Sequence, residues 1–168
     1  MNMQPVPAAA TIAVSGALSL LPAAMSSPQA LAMLYAIGMQ ESRFLYRRQM
    51  GDGPARGFWQ MERGGGVLGV VTHPSSRYWM ASLCAARGVS FAVQSVYDAL
   101  ETDDVLAAGA ARLLLFTDPR PLPDLGDLAG SWNLYARVWR PGQPKRATWL
   151  DCYAAARYVM TEVIDASS

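Results

Sequence analysis

The segment Gln40-Glu41-Ser42-Arg43-Phe44, followed shortly by Gly53-Pro54-Ala55-Arg56-Gly57-Phe58-Trp59-Gln60-Met61, decides the fold that we predict for this chain. The first segment places one glutamate at the end of an apolar run. Apolar residues from Leu31 to Gly38 recur at the three- and four-residue spacing of one buried helix face, and Glu41 continues that face. We therefore expect the Glu41 side chain to emerge at the edge of the core.

The residues on either side of Glu41 predict a helix that ends there and an extended segment that follows. Ser27 is a suitable N-cap and Pro28 suits the first helical position, so the helix is expected over about 29–41. Glycine and proline between 51 and 57 predict a turn region. Residues 57–61 then predict a short strand, or at least an extended segment.

Glu41 is the main candidate for a catalytic residue. A carboxyl group held against apolar and aromatic surface has a raised pKa, because burial disfavours its charged form. The negative end of the helix dipole raises this pKa further and gives the glutamate no role in stability. Such a group can donate a proton near neutral pH, as cleavage of a glycosidic bond requires. The alternative is a solvated glutamate at a helix end.

Composition excludes several other classes of protein. The 168 residues suit one domain, and 52% apolar with 16% charged residues is typical of a folded protein. The net charge of +1 gives no argument for nucleic acid or an anionic membrane as a partner. Cys84, Cys152 and the single histidine, His73, have no metal-site spacing, so we expect no metal, no cofactor and two reduced, buried thiols. A single bridge between the cysteines is the alternative.

Helices dominate the rest of the predicted structure. They are expected over about 76–87, 90–100, 103–116 with Thr102 as the cap, part of 125–138, and 148–164. The apolar run at 8–21 resembles the centre of a signal peptide, but residues 1–7 contain no Lys or Arg. The run is also too short and too interrupted for a membrane span. We expect a helix packed on the domain, with a cleaved signal as the alternative.

Taken in order, these motifs resemble the lysozyme-like lytic transglycosylase family. That family has Glu-Ser at a helix end, followed by a Gly-Ala-x-Gly-Leu-Met-Gln turn. Ser131-Trp132-Asn133-Leu134-Tyr135 is similar to the family's Ala-Tyr-Asn-Ala-Gly segment, and 153–159 to its closing tyrosine-valine helix. The resemblance covers about 29–160. It implies a mainly α, lysozyme-like (α+β) domain with a small extended segment around a cleft, which we assign to 28–168. Residues 1–27, with the apolar run, are then an N-terminal helical extension packed on this domain.

The resemblance also implies roles for individual residues. Glu41 would be the lone catalytic acid, which protonates the oxygen between N-acetylmuramic acid and N-acetylglucosamine in peptidoglycan. The muramoyl 6-hydroxyl would then attack, giving a 1,6-anhydro product. The substrate-binding positions implied are Ser42, Phe58, Trp59, Gln60, Asn133 and Tyr135. Ser42 would orient the acid or the substrate, Asn133 would bind the N-acetyl group or the 6-hydroxyl, and Tyr135 would hydrogen-bond to Glu41.

The sequence departs from the family pattern at Leu134-Tyr135, which replace Ala-Gly, and at Phe58-Trp59, which enlarge the aromatic wall beside Gln60. Glu62 follows Gln60 by two residues, and in an extended segment both side chains point the same way. Glu62 or Asp52 could then act as a second carboxylate in a hydrolytic lysozyme. A solvated Glu62 is the simpler interpretation.

The biological setting that we expect is a phage or prophage. The short chain, without a clear signal or a wall-binding module, suggests a muralytic protein of the virion or an endolysin, synthesised in the host cytoplasm and acting in the periplasm or cell wall. Its partners would be peptidoglycan glycan strands and other virion proteins. The competing interpretations are a virion assembly protein that keeps the lysozyme-like fold without catalysis, and a carbohydrate-binding or helical adaptor domain.

Overall fold

The computed structural model describes residues 4–166 and is mainly α-helical, which confirms the predicted class. Within that range lie eight α-helices and one two-stranded antiparallel sheet. The helices are α1 Ala8–Ser19, α2 Pro28–Ser42, α3 Leu68–Thr72, α4 Arg77–Arg87, α5 Val93–Ala99, α6 Asp104–Phe116, α7 Leu128–Trp139 and α8 Arg146–Ala166. The strands are β1 Ala55–Arg56 and β2 Met61–Glu62, and short 3₁₀ and π-helical turns cover Ala23–Met25 and Arg63–Val67. Residues 1–3 of the predicted N-terminal extension and residues 167–168 of the predicted catalytic domain lie outside the described residues.

Helix α2 runs through the centre of the molecule. Most of its side chains are buried, because apolar residues occupy nearly all of its faces. It packs mainly against α8 and also contacts α6 and α1. Glu41 is the last residue but one of α2, so the packing of this helix fixes where the carboxyl group lies.

The apolar N-terminal run forms α1, which packs along α6. Its buried residues include Ala10, Val14 and Ala17. Across residues 4–166, no helix combines the length and the apolar character that crossing a membrane requires. Cys84 and Cys152 are both buried and both free, as the sequence predicts.

The ends of the helices are set by local capping. The Ser27 hydroxyl accepts a hydrogen bond from the Ala30 amide at 3.1 Å, with Pro28 in the first turn, as predicted. The predicted cap at Thr102 is wrong, because α6 begins one residue later than expected. Asp103 caps it instead, accepting from the Leu106 amide at 2.9 Å. Aspartate is the stronger N-cap of the two, which accounts for the difference.

The strand predicted at 57–61 is also wrong, because its centre is a tight turn. Gly57 and Gln60 both have positive φ, at 76° and 48°, and the Gln60 amide donates to the Gly57 carbonyl at 3.0 Å. The turn joins β1 to β2, and Arg56 pairs with Met61 across the sheet. It thereby turns the two aromatic residues between them into the core.

Those two aromatic residues, Phe58 and Trp59, meet Phe44 in a cluster of edge-to-face contacts with ring centroids 5.4 to 6.3 Å apart. The Trp59 indole donates to the Leu34 carbonyl at 2.8 Å, which ties the turn to α2. The Phe44 ring lies directly over Gly38, where a Cβ would overlap it. The glycine in the buried stripe of α2 is therefore required by this close approach.

Candidate active site

An open cavity of about 830 Å³ lies where α2 ends. Its walls come from the end of α2, the β1–β2 turn, the glycine-rich segment 64–66, the end of α6, and the residues at the end of α7. Glu41, Gln60 and Glu62 all line it, and so does Arg137 of α7. The cavity thus brings together residues from distant parts of the chain, and it has the size of a ligand-binding cleft.

The Glu41 side chain is partly buried in the wall of this cavity. The folded structure raises its pKa from 4.5 to about 7, chiefly because burial disfavours the carboxylate. The nearby charge of Glu62 raises this pKa too, whereas a hydrogen bond from Tyr135 lowers it. The carboxyl group therefore keeps its proton to a higher pH than an exposed glutamate does.

Tyr135 positions the Glu41 carboxyl group from the buried side, away from the cavity. The expected hydrogen bond is present: the Tyr135 hydroxyl donates to Oε1 of Glu41 at 2.6 Å. The tyrosine ring is buried and stacks on Trp149, with centroids 4.9 Å apart and planes at 15°. Burial and the neighbouring carboxyl group raise the pKa of Tyr135 well above its usual value, so the hydroxyl remains a donor. Tyr135 is thus a positioning residue behind the acid and does not line the cavity.

Gln60 faces the cavity from the turn, although its side chain is largely buried. Its Nε2 donates to the Gly57 carbonyl at 2.9 Å, which fixes the amide in one orientation. Because Gln60 has a positive φ, the alternation that would point Gln60 and Glu62 the same way does not apply. Both nevertheless line the cavity, and the exposed Glu62 is a second carboxylate there. Asp52 does not line it.

Besides Tyr135, four of the predicted binding positions do not line the cavity. Ser42, Phe58 and Trp59 are buried in the core. The Ser42 hydroxyl donates to the Phe58 carbonyl at 2.7 Å and accepts from the Phe44 amide at 3.1 Å, so it ties α2 to the turn instead of contacting a substrate. Asn133 is exposed on the face of α7 opposite its buried side, outside the cavity lining.

Two aromatic residues of the site were not among the predicted positions. Tyr46 lines the cavity, and its hydroxyl donates to the Glu41 carbonyl at 3.1 Å. Trp139 also lines it, and its indole donates to the Trp59 carbonyl at 2.9 Å, joining the end of α7 to the turn. The available signals were the placement of Tyr46 five residues after the acid, and of Trp139 one helical turn after Tyr135.

Within residues 4–166, no group of three or more His, Cys, Asp or Glu residues is arranged to hold a metal ion. His73 lines the cavity, and its Nδ1 accepts from the Ser75 amide at 3.1 Å. The chemistry that the described residues support is proton transfer by the Glu41 carboxyl group, which can donate or accept a proton near neutral pH because its pKa is raised to about 7. An oxygen of a bound molecule could receive that proton and later return one.

No family model, curated protein or solved structure matches this chain. We therefore infer the function from the residues and geometry of the site.

Proposed function

We propose that this protein is a lysozyme-like lytic transglycosylase, which cleaves the β-1,4 bond between N-acetylmuramic acid and N-acetylglucosamine in peptidoglycan. The observation that carries the proposal is the Glu41 carboxyl group, held in the wall of an open cavity with its pKa raised to about 7. A buried acid at a helix end destabilises the fold, so a catalytic use explains its presence better than a structural one.

In this mechanism Glu41 first donates its proton to the glycosidic oxygen, and the bond between that oxygen and the muramoyl C1 breaks. The leaving sugar thereby gains a hydroxyl group. The muramoyl 6-hydroxyl oxygen then bonds to C1, and its proton passes to the Glu41 carboxylate. The acid is regenerated, no water is consumed, and the product is a 1,6-anhydro sugar. A pKa near the working pH suits a group that must act as acid and then as base.

The surrounding residues support these two steps. Tyr135 keeps Oε1 of Glu41 occupied at 2.6 Å, so the other carboxyl oxygen is the one available to the substrate. Trp139 and Tyr46 offer aromatic surface in the cavity, of the kind on which sugar rings stack. Gln60 presents a fixed amide. Positioning and charge stabilisation by these groups supply the part of the rate that proton transfer alone does not.

A hydrolytic lysozyme is the second candidate, favoured by one observation. Glu62 lines the same cavity as Glu41 and is close enough for its charge to raise the pKa of the acid. A second carboxylate could activate water in place of the muramoyl hydroxyl. The product would then carry a reducing end.

Digestion of purified Gram-negative peptidoglycan, with mass spectrometry of the soluble products, tests both candidates. We expect anhydromuramoyl products from the unaltered protein and from Glu162→Gln, which changes an exposed glutamate on α8 outside the cavity. Glu41→Gln should reduce the rate by roughly 10²–10⁴-fold.

Reducing-end products, abolished by Glu62→Gln, would establish the lysozyme instead. If the folded protein yields no products at all, the proposal fails and a non-catalytic virion protein becomes the better interpretation. Equal activity of Glu41→Gln and Glu162→Gln would remove Glu41 from the mechanism.

A further inference from the structure

A second cavity, of about 550 Å³, adjoins the candidate active site. Asp118 and Pro119 line both cavities and form the ridge between them. The second cavity lies between the 3₁₀ turn before α2, the first residues of α2, the end of α6 and the loop that follows α6. Its volume is large enough to hold part of a molecule whose remainder occupies the first cavity.

Arg112 is the unusual feature of this second cavity. Its side chain interrupts the apolar residues of α6 and is 5% exposed, so it is almost completely buried. Its Nε donates to the Met25 carbonyl at 2.9 Å, and burial lowers its pKa. Among the described residues no carboxylate forms an ion pair with it. A buried charge without a counter-ion is costly to the fold, and a leucine would fit the pattern of α6 better.

The two terminal nitrogens of the Arg112 guanidinium group are available to a ligand in this cavity. Within residues 4–166, Nε is the only nitrogen of Arg112 that forms a hydrogen bond. Among the described side chains, no fully buried nitrogen or oxygen lacks a partner, so both terminal nitrogens keep some accessible surface, and Arg112 is one of the residues that line the cavity. They form a planar pair of donors of the kind that a carboxylate or phosphate accepts in a bidentate manner.

The other charges around the cavity also favour an anion. Arg120 lines it as a second cation. Asp118 is the one acidic residue in the described lining, but Arg137 holds both of its oxygens, at 2.6 and 3.2 Å, so its charge is already balanced. Ser27 and Gln29 bring the N-terminus of the 15-residue α2 to the edge of the cavity, and that end of a helix attracts negative charge.

We propose that this second cavity binds a carboxylate of the peptide attached to the muramoyl residue, with Arg112 as its anchor. The inference rests on the proposed function, since a glycan strand in the first cavity carries such peptides as side branches. The ridge at Asp118 and Pro119 is the boundary that the peptide crosses. Leu115, Phe116 and Leu122 offer apolar surface for the alanine side chains of the peptide.

Calorimetric titration with the free wall tetrapeptide tests the site without any turnover. The protein carries Glu41→Gln throughout, and the comparison is between Arg112→Gln and Arg77→Gln, which changes an exposed arginine that lines neither cavity. We expect Arg112→Gln to weaken binding by about 10- to 100-fold, since hydrogen bonds to charged groups contribute about 1.5–3 kcal/mol. Arg77→Gln should leave the affinity unchanged.

Two control ligands test the role of the carboxylate. A tetrapeptide with its carboxylates amidated should bind weakly to every variant, and acetate tests whether a carboxylate alone is sufficient for binding. Equal affinities of the Arg112→Gln and Arg77→Gln proteins, or binding of acetate but not of the tetrapeptide, would overturn the proposal. If Arg112→Gln does not fold, the exposed Arg120→Gln replaces it with an expected loss of about three- to fivefold. No loss in that variant would overturn the proposal as well.

Measurements of glycan cleavage distinguish a failure of the carboxylate site from a failure of the proposed enzymatic activity. With Glu41 intact, the unaltered protein should cleave peptide-bearing strands with a higher kcat/KM than strands stripped of peptide by an amidase. Arg112→Gln should remove that preference, whereas Arg77→Gln, which lies outside both cavities, should keep it. Tetrapeptide binding together with a complete lack of glycan cleavage would refute the enzymatic activity and leave the carboxylate site standing.

Discussion

Replacing Glu41 with glutamine should stabilise the folded protein at alkaline pH and leave its stability nearly unchanged at acidic pH. The folded structure raises the pKa of this carboxyl group from 4.5 to about 7, mainly through burial. Between those two pH values the folded protein holds a proton that the unfolded chain has lost. The free energy of unfolding therefore falls as the pH rises through that interval.

The size of the effect follows from the two pKa values. At about 1.4 kcal/mol per pKa unit, a rise from 4.5 to about 7 corresponds to about 3 kcal/mol of stability lost once Glu41 is ionised. Glutamine remains neutral at every pH and can still accept the hydrogen bond from Tyr135. The difference in stability between the two proteins should be close to zero at pH 4.5 and reach its full value above pH 7.

Urea denaturation followed by tryptophan fluorescence, at a series of pH values between 4 and 9, measures this difference. All other titrating groups are shared, so their contributions largely cancel between the two proteins. Glu162→Gln, at an exposed position on α8, should stay within about 0.5 kcal/mol of the unaltered protein. A stability difference that does not change with pH, or a Glu41→Gln protein that is less stable at pH 8, would refute the reasoning.

Three further predictions follow from single contacts. Tyr135→Phe removes a hydrogen bond that lowers the pKa of Glu41, so the alkaline limit of peptidoglycan digestion should move to higher pH; a move to lower pH would contradict this role. Ser42→Ala leaves two buried backbone groups without their side-chain partner, and urea denaturation should show a loss of about 1–3 kcal/mol. Gly38→Ala places a Cβ where the Phe44 ring lies, so we expect the free energy of unfolding to fall by about 1–3 kcal/mol and the melting temperature to fall with it. Gly142→Ala adds a Cβ in open space and should have little effect.

Local patterns predicted most of the helices and their starts, because capping depends on neighbouring residues only. Ser27 and Pro28 mark the start of α2 in the sequence as they do in the structure. The strand predicted at 57–61 failed for the opposite reason. Phe58 and Trp59 have high strand propensity, but their burial against α2 is achieved in a turn with Gln60 in a left-handed conformation. Tertiary packing determines that conformation, and it cannot be predicted from the strand propensity of the individual residues.

The position of Glu41 could be predicted because it continues a helical stripe, whereas its surroundings could be predicted only in part. Asn133 and Tyr135 were both expected to serve the site. Two residues apart on a helix they differ by about 200° around its axis, so they cannot face the same way. The helical period alone could have separated them. The contacts of Tyr46 and Trp139 with the cavity depend on how the turn and α7 meet, which no local pattern contains.

The hydrogen bond between Glu41 and Tyr135 joins two positions that are 94 residues apart. During translation the glutamate is therefore made well before the tyrosine that holds it and the α8 tryptophan that stacks on that tyrosine. A nascent chain that ends before α7 carries this glutamate without its donor and without part of the wall that buries it. Because α7 and α8 supply part of the wall around Glu41, the full rise of its pKa requires both helices to pack against α2, and a pKa measured in the folded protein would report on that packing.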